Sequence, residues 1–285
     1  MGSWALTLLC RHCREPLKEQ FLDLGYAPYS NAYLTIDALA CPETTYPLRL
    51  FVCSVCFLVQ TEDFAAREEL FGADYAYFSS TSESWLAHAS AFCEMATHRF
   101  ALASDSLVIE IASNDGYLLQ YFVNKKIPSI GIEPTNSTAV AAEKKGICVI
   151  KDFFGSVLAE KLVKEDRCAD LVVGNNVYAH VPDINDFTYG VSIILKPAGV
   201  VTLEFPHLMR MVEHCQFDTV YHEHFSYLSL KTVMKIFGSA GLRIFDVDEL
   251  PTHGGSLRVY GCRKDAKFGT SYAVNKLISL EEEFG

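Results

Sequence analysis

From Leu107 onward, short apolar runs alternate with stretches whose apolar residues recur every three or four positions, the pattern of strands and helices in turn. Leu107 to Ile111 reads as a buried strand, Ala112 to Gly116 as a tight polar turn, and Tyr117 as the opening of a helix. About twenty residues on, S-I-G-I-E is a second apolar run ending on Glu133. Asn136 to Lys145 and Phe154 to Lys164 read as helices around a third strand, Ile147 to Ile150. Ala169 to Asn176 is a fourth strand with a polar C-terminal end, where open α/β sheets bind ligands. Asp186 to Leu195 reads as a helix, K-P-A-G as its terminating turn with freedom from Gly199, and Val200 to Phe205 as a fifth strand. Ser229 caps a helix whose apolar face is Leu230, Val233, Met234 and Phe237, stopped near Gly241. Leu242 to Val247 and Leu257 to Gly261 are two last strands joined by a short turn. Strands alternating with helices in this way predict an α/β fold.

Upstream, Ser82 or Ser84 caps a helix with Trp85, Ala89, Phe92, Ala96 and Phe100 at helical spacing. Residues 1 to 70 have a different texture, with short strand-like pieces at Phe21 to Leu24 and Tyr46 to Val52, and Phe64 to Asp74 reads as a link. The expected division is a small module over 1–70, a main domain over 71–265 and a solvated helical tail over 266–285.

Composition narrows the classes. Half of the 285 residues are hydrophobic, enough for one large core and a satellite. The formal charge is -11, with no sizeable Lys/Arg cluster, which argues against a nucleic-acid partner. No run of 18 apolar residues is present, so no membrane span is expected. The opening M-G-S-W-A-L-T-L-L-C lacks the basic segment and length of a signal peptide. Ten cysteines without a secretion signal point to a reducing, cytoplasmic setting with some thiols serving a metal.

Four of those thiols come in two C-x-x-C knuckles, Cys10 with Cys13 and Cys53 with Cys56. Paired knuckles set four thiolates at the corners of a tetrahedron, which suits Zn²⁺. Four sulfurs close the coordination shell, so the zinc is expected to be structural. Free buried thiols would not need this spacing.

The turn after the first strand, with an acid about twenty residues later, is the start of a unit in which a ligand lies on the turn and the acid holds ribose hydroxyls. Only Gly116 remains of G-x-G-x-x-G, so a strict dinucleotide fingerprint fails. E-I-A-S-N-D-G is similar to the looser first motif of S-adenosylmethionine methyltransferases, and alone it fits any other α/β crossover equally. The candidate cofactor residues are Glu110, Ala112, Asn114, Gly116, Tyr117, Leu118, Glu133 and Pro134, with Asn175 and Asn176 at the end of the fourth strand. Tyr75 and Ser79 stand just before the capped helix, where a chain often closes over a cofactor.

Gln216 to Tyr227 packs Tyr221, His222, Glu223 and His224 together. Extended, His222 and His224 share one face; in a helical turn Tyr221 and His224 meet. Either way a base, a hydroxyl and a carboxylate converge. A metal bound by His, Glu and His is the rival reading, and a loop held by satisfied polar groups is the bland one. His180 follows the fourth strand, and His207 follows E-F-P as a weaker candidate.

The knuckles, Y-A-Y-F-S-S, E-I-A-S-N-D-G-Y-L-L, G-I-E-P-T, G-N-N-V-Y-A-H-V-P-D-I-N-D-F and D-T-V-Y-H-E-H-F-S-Y-L-S together resemble the sugar C-methyltransferases of deoxysugar biosynthesis, from Cys10 to about Arg263. The resemblance implies a class I methyltransferase, Rossmann-like seven-stranded sheet behind a zinc-binding module. It implies methyl transfer from S-adenosyl-L-methionine to carbon 3 of a small-molecule substrate, a nucleotide-linked 4-keto-deoxysugar, and roles for Tyr75, His180, Tyr221, Glu223 and His224. Members of that family continue into a C-terminal domain that helps clasp the nucleotide sugar, of which residues 266–285 would be the start. Carbon next to a ketone must first lose a proton. His224 is assigned as base, Tyr221 and His180 as donors to the enolate oxygen, Glu223 as an orienting group, and Tyr75 as a closure over the cofactor. The alternatives are a methyltransferase of another small acceptor and a non-catalytic cofactor-binding interaction subunit.

Overall fold

The computed structural model describes residues 8–30, 33–64 and 78–285. The expected link falls almost wholly outside them, and so does Tyr75. Among the described residues no helix is long and apolar enough to cross a membrane.

The N-terminal module is built on β1 (Glu19–Ala27), β2 (Tyr46–Val52) and β3 (Val59–Thr61), an antiparallel set. Each knuckle closes the same way. Arg14 N donates to Cys10 O and Phe57 N to Cys53 O, and both Arg14 and Phe57 have φ of 66°. The sheet is completed from far along the chain by β9 (Ser226–Tyr227), which pairs with β3. No sequence pattern announced this strand.

The main domain starts with α1 (Glu83–Arg99), where the Ser82 side chain accepts from Trp85 N and Ala89, Phe92 and Ala96 are buried. Then β4 (Val108–Ile111), α2 (Leu119–Asn124), β5 (Ser129–Ile132), α3 (Asn136–Lys144), β6 (Cys148–Ile150), α4 (Ser156–Lys164), β7 (Ala169–Asn175), α5 (Ile184–Ile194) and β8 (Leu195–Pro206) follow in strict alternation. After α6 (Leu208–Glu213) comes α7 (Leu230–Ser239), capped by Ser229 as expected. The chain continues through β10 (Leu242–Leu250), β11 (Ser256–Arg263) and α8 (Tyr272–Phe284).

The seven-stranded sheet has the order β10-β11-β8-β7-β4-β5-β6. β4 to β8 are parallel, and β11 inserts antiparallel between β8 and β10. β4 reads V-I-E-I and is buried throughout, as a central parallel strand between helices must be. The order reverses between β4 and β7, so a crevice opens at their C-terminal ends.

Two expectations need correction. K-P-A-G is not a turn that ends a helix. It lies inside β8, where Leu195 faces Ala169 but Val200 faces Leu171, so residues 196–199 bulge from the register. Gly199 serves close approach, because a Cβ there would lie 2.7 Å from Ala169 O. The end of the chain is helical but not merely solvated. Val274 and Leu277 of α8 join the core, and the nearly buried Glu281 accepts from Leu230 N and Lys231 N at the start of α7 and bonds His207 Nε2 at 2.7 Å.

Candidate active site

The crevice holds a cavity of about 570 Å³, the size of a cofactor and small-substrate site. One half of its wall grows from the turn after β4. Ala112, Asn114 and Gly116 there have φ of 56°, 48° and 76°. A Cβ on Gly116 would lie 2.2 Å from Ile147 and 3.2 Å from Ala142, so glycine also lets the turn pack against α3. Asn114 Oδ1 accepts from Ser79 N at 2.9 Å, which fastens the segment before α1 to the turn. Glu133, at the tip of β5, accepts from Asn114 N at 2.8 Å and Thr135 N at 2.9 Å. A carboxylate offers about four acceptor positions. On Glu133 the Thr135 and Thr138 side chains also bond the carboxylate, which lines the cavity, where hydroxyl groups of a ligand can compete for it.

Ser79, Ala112, Asn114, Tyr117, Glu133, Pro134, Asn175 and Asn176 line this cavity as expected. Glu110, Gly116 and Leu118 do not; they lie behind the wall. Leu118 is fully buried in the core with Phe92 and Phe122. Burial drives the Glu110 carboxyl well above its ordinary range, with the Tyr117 hydroxyl opposing. The Asn175 side-chain amide is buried on the cavity wall, beside the Tyr117 hydroxyl. The donor set therefore fits S-adenosylmethionine: a ribose acceptor at Glu133, strained backbone beneath, and the Asn175 amide beside it.

The other half holds the histidines. Gln216 to His224 forms no long element. His224 N donates to Tyr221 O at 3.0 Å, closing a turn that brings the Tyr221 hydroxyl 2.8 Å from His224 Nε2. His224 Nδ1 lies 2.9 Å from Thr219 O. A carbonyl can only accept, so Nδ1 carries the proton and Nε2 receives the Tyr221 O–H. The His180 ring meets His224 edge-on at 4.5 Å. Burial holds the His224 imidazole well below the ordinary value, and the nearby His180 adds to this. Burial also lowers His180, to about 4. Both rings are therefore neutral near pH 7. Glu223 accepts from Ser30 Oγ at 2.8 Å.

His222 points away. Its Nε2 donates to Pro47 O at 3.1 Å, and its ring meets Tyr29 and Tyr46 edge-on. Thr61 N donates to Phe225 O and Thr61 Oγ1 to His224 O. The N-terminal module is thus the floor under the Tyr221–His224 loop, and Ser30 reaches the cavity wall from it. The rival reading of a His-Glu-His metal site is not supported. Among the described residues the one group that could hold a metal ion is Cys10, Cys13, Cys53 and Cys56.

Residues 85–247 match the family model described as "Methyltransferase domain", more than half of the chain. The chain belongs to the methyltransferase-domain family. Residues 10–71 match a second model, described as "Putative zinc binding domain". The C-methyltransferase NovU of Streptomyces niveus is 32% identical over 276 residues, which are 97% of this chain and 66% of that protein, so the chain spans just under two thirds of that relative. A crystal structure of an S-adenosylmethionine-dependent methyltransferase from Clostridium acetobutylicum aligns with a TM-score of 0.50 at 12% identity, covering 62% of this chain and 92% of that one. That likeness shows the class I fold alone.

In this family member the four knuckle sulfurs lie within 4.8 Å of one another, with Cys10 and Cys56, and Cys13 and Cys53, at 3.4 Å. A zinc with 2.3 Å bonds separates its sulfurs by about 3.8 Å, so the set fits zinc after a small expansion. Gln60 Nε2 donates to Cys10 Sγ at 3.3 Å, a hydrogen bond that suits a thiolate.

Several wall residues escaped the sequence. Trp85 stacks on His88 and on Tyr117. Asp152, Phe153 and Phe154 follow β6, Ser30 comes from the zinc module, and His253 from the turn between β10 and β11. Trp85 reads as core because its spacing is helical, and Phe154 reads only as the opening of a helix. His253 had a usable signal, in that a histidine directly before G-G between two strands sits in an unusual turn.

Proposed function

We propose that this methyltransferase transfers the methyl of S-adenosylmethionine to a carbon next to a ketone, and that its acceptor is a nucleotide-linked 4-keto-deoxysugar methylated at carbon 3. The observation that carries the reading is the neutral, buried His224 with Nε2 free of its own proton and 2.8 Å from the Tyr221 hydroxyl, across one cavity from Glu133. Glu133 would hold the ribose of the cofactor, the Ala112–Gly116 turn its backbone-facing side, and Asp152 and Phe153 its adenine end. When bound, S-adenosylmethionine supplies an electrophilic methyl on a sulfonium. His224 Nε2 takes the proton from the carbon beside the ketone as the Tyr221 hydroxyl turns to the ketone oxygen. His180, a neutral imidazole in a dry site, donates its N–H to the same oxygen, where charge develops. Ser30 fixes Glu223, which orients His180 or a sugar hydroxyl.

The zinc-binding module over 1–70 serves as the floor of the catalytic loop, 71–265 as the methyltransferase domain and 266–285 as a brace. The name of NovU supports this reading, and a cytoplasmic setting is part of the proposal. The experiment incubates the protein with methyl-labelled S-adenosylmethionine and a panel of nucleotide-linked 4-keto-deoxysugars, and reads the products by mass spectrometry. A labelled, carbon-methylated sugar is expected with wild type, and none with His224→Asn. Label on oxygen, or transfer only to acceptors without a ketone, would replace the reading.

A further inference from the structure

We propose that His253 is an acceptor-binding residue, which hydrogen-bonds a hydroxyl or ketone oxygen of the substrate at the rim of the cavity. The inference rests on the methyl-transfer reading above. The sheet order divides the cavity. The Ala112–Gly116 turn, Glu133 and Asp152 follow β4, β5 and β6, the cofactor half. His180 and the Tyr221–His224 loop follow β7 and β8, and His253 follows β10 beyond them. His253 therefore stands on the side of the cavity away from the adenine end, against Asn176 at the tip of β7 and Trp85.

The turn that carries His253 is built, not incidental. His253, Gly254 and Gly255 have φ of 51°, 74° and 122°, three left-handed residues in a row. Two of them are glycines, for which this costs little; the histidine is the exception. Gln216 Nε2 donates to Gly254 O at 2.7 Å and His207 N to Gly255 O at 3.0 Å, so the turn is clamped from the segment that leads into the catalytic loop. Strain of this kind persists where the surroundings over-determine it, and it clusters at ligand sites. The ring meets Trp85 edge-on at 5.3 Å, and its Nε2 lies 3.3 Å from the side-chain nitrogen of Asn176, itself left-handed at φ 53°. Burial lowers the His253 imidazole below its ordinary value, and its charge would reach His224. An amide nitrogen only donates, so Nε2 spends its lone pair on Asn176 and the ring keeps the Nδ1–H, a neutral donor that suits a sugar oxygen. It does not suit a phosphate, which wants a cation.

The test titrates protein saturated with S-adenosylhomocysteine with a nucleoside-diphosphate-linked 4-keto-6-deoxyhexose in a calorimeter, comparing wild type with His253→Gly. Glycine adopts φ 51° freely, so the variant is expected to unfold at the wild-type midpoint or above. Acceptor affinity should fall roughly tenfold, the scale of one lost hydrogen bond. Affinity for S-adenosylhomocysteine should be unchanged. Unchanged acceptor affinity, or a loss confined to S-adenosylhomocysteine, overturns the inference and leaves the methyl-transfer reading standing. Wild type that binds no keto sugar overturns that reading, and the inference with it. A second measurement needs no variant. Carbethoxylation of His253 by diethyl pyrocarbonate, read on the peptide by mass spectrometry, should be slowed by the keto sugar and not by S-adenosylhomocysteine alone. Protection by S-adenosylhomocysteine alone, or by neither, refutes the assignment.

Discussion

His224 is the residue on which the proposed chemistry turns, and its burial has measurable consequences. An exposed histidine takes up a proton near pH 6.5. Burial lowers His180 to about 4 and His224 well below 6.5. The unfolded chain therefore binds more protons than the folded one below pH 6.5, and stability falls as pH drops from 6.5 towards 4. For His180 alone the loss is on the order of 3 kcal/mol over that window. Urea unfolding at pH 7, 6 and 5 should show it, with much of the slope absent in His180→Asn. The same depression keeps His224 unprotonated as a base, so the acid limb of kcat/KM should lie well below 6.5. Tyr221→Phe removes a donor and leaves the base. Exchange of the acceptor proton with heavy water should slow and still proceed, whereas His224→Asn should lose about 10²–10⁴-fold. Equal loss in both variants would mean that the proton passes through the Tyr221 hydroxyl. The Tyr221–His224 pair was legible because a helical turn brings positions three apart together, and that turn forms. The opposite direction of His222 was not legible, since Pro47 and Tyr29 lie some 175 residues and more upstream.

At the scale of elements, the alternation of apolar runs predicted the strands of the parallel sheet, because central strands buried on both faces must be apolar end to end. Pattern failed where an element's partner is remote. Ser226–Tyr227 is too short to read as a strand alone, and only β3 makes it one. The last helix was misjudged for a related reason. Its E-E-E run reads as a solvated face, but Glu281 takes three partners at once, capping two orphan N–H groups of α7 and holding the buried His207. Glu281→Gln, which keeps the shape and removes the charge, should lower stability by about 1–3 kcal/mol. Chemical denaturation of the purified protein measures this. Deleting residues 272–285 should cost more, because Val274 and Leu277 then leave an apolar patch on the core. A Glu281→Gln variant as stable as wild type would show that the cap is dispensable.

At the scale of the whole molecule, the zinc site and the active site belong to one construction. Cys10, Cys53, Cys56 and Leu58 share a hydrophobic core with Leu228, Leu230 and Val233 of the main domain. Thr61, five residues after Cys56, hydrogen-bonds both His224 and Phe225. In the cofactor half Glu133 takes its backbone bonds from Asn114 and Thr135, neither of them in the module. A structural zinc contributes folding free energy on the order of 10 kcal/mol. Its removal should therefore reach the catalytic loop before it reaches the cofactor. With Cys53→Ser, or after chelation, purified protein should lose its one equivalent of zinc in metal analysis. Amide hydrogen exchange should then accelerate at Thr61 and across 224–228, while amides of β4 and β5 stay protected. Binding of S-adenosylhomocysteine should persist in the same sample, and proton exchange on a keto acceptor should be lost. The knuckles announced the metal by spacing alone, but not this dependence, because the contact between Thr61 and His224 exists only once β3 and β9 have paired. Loss of cofactor binding in step with zinc would instead make the two halves a single cooperative unit.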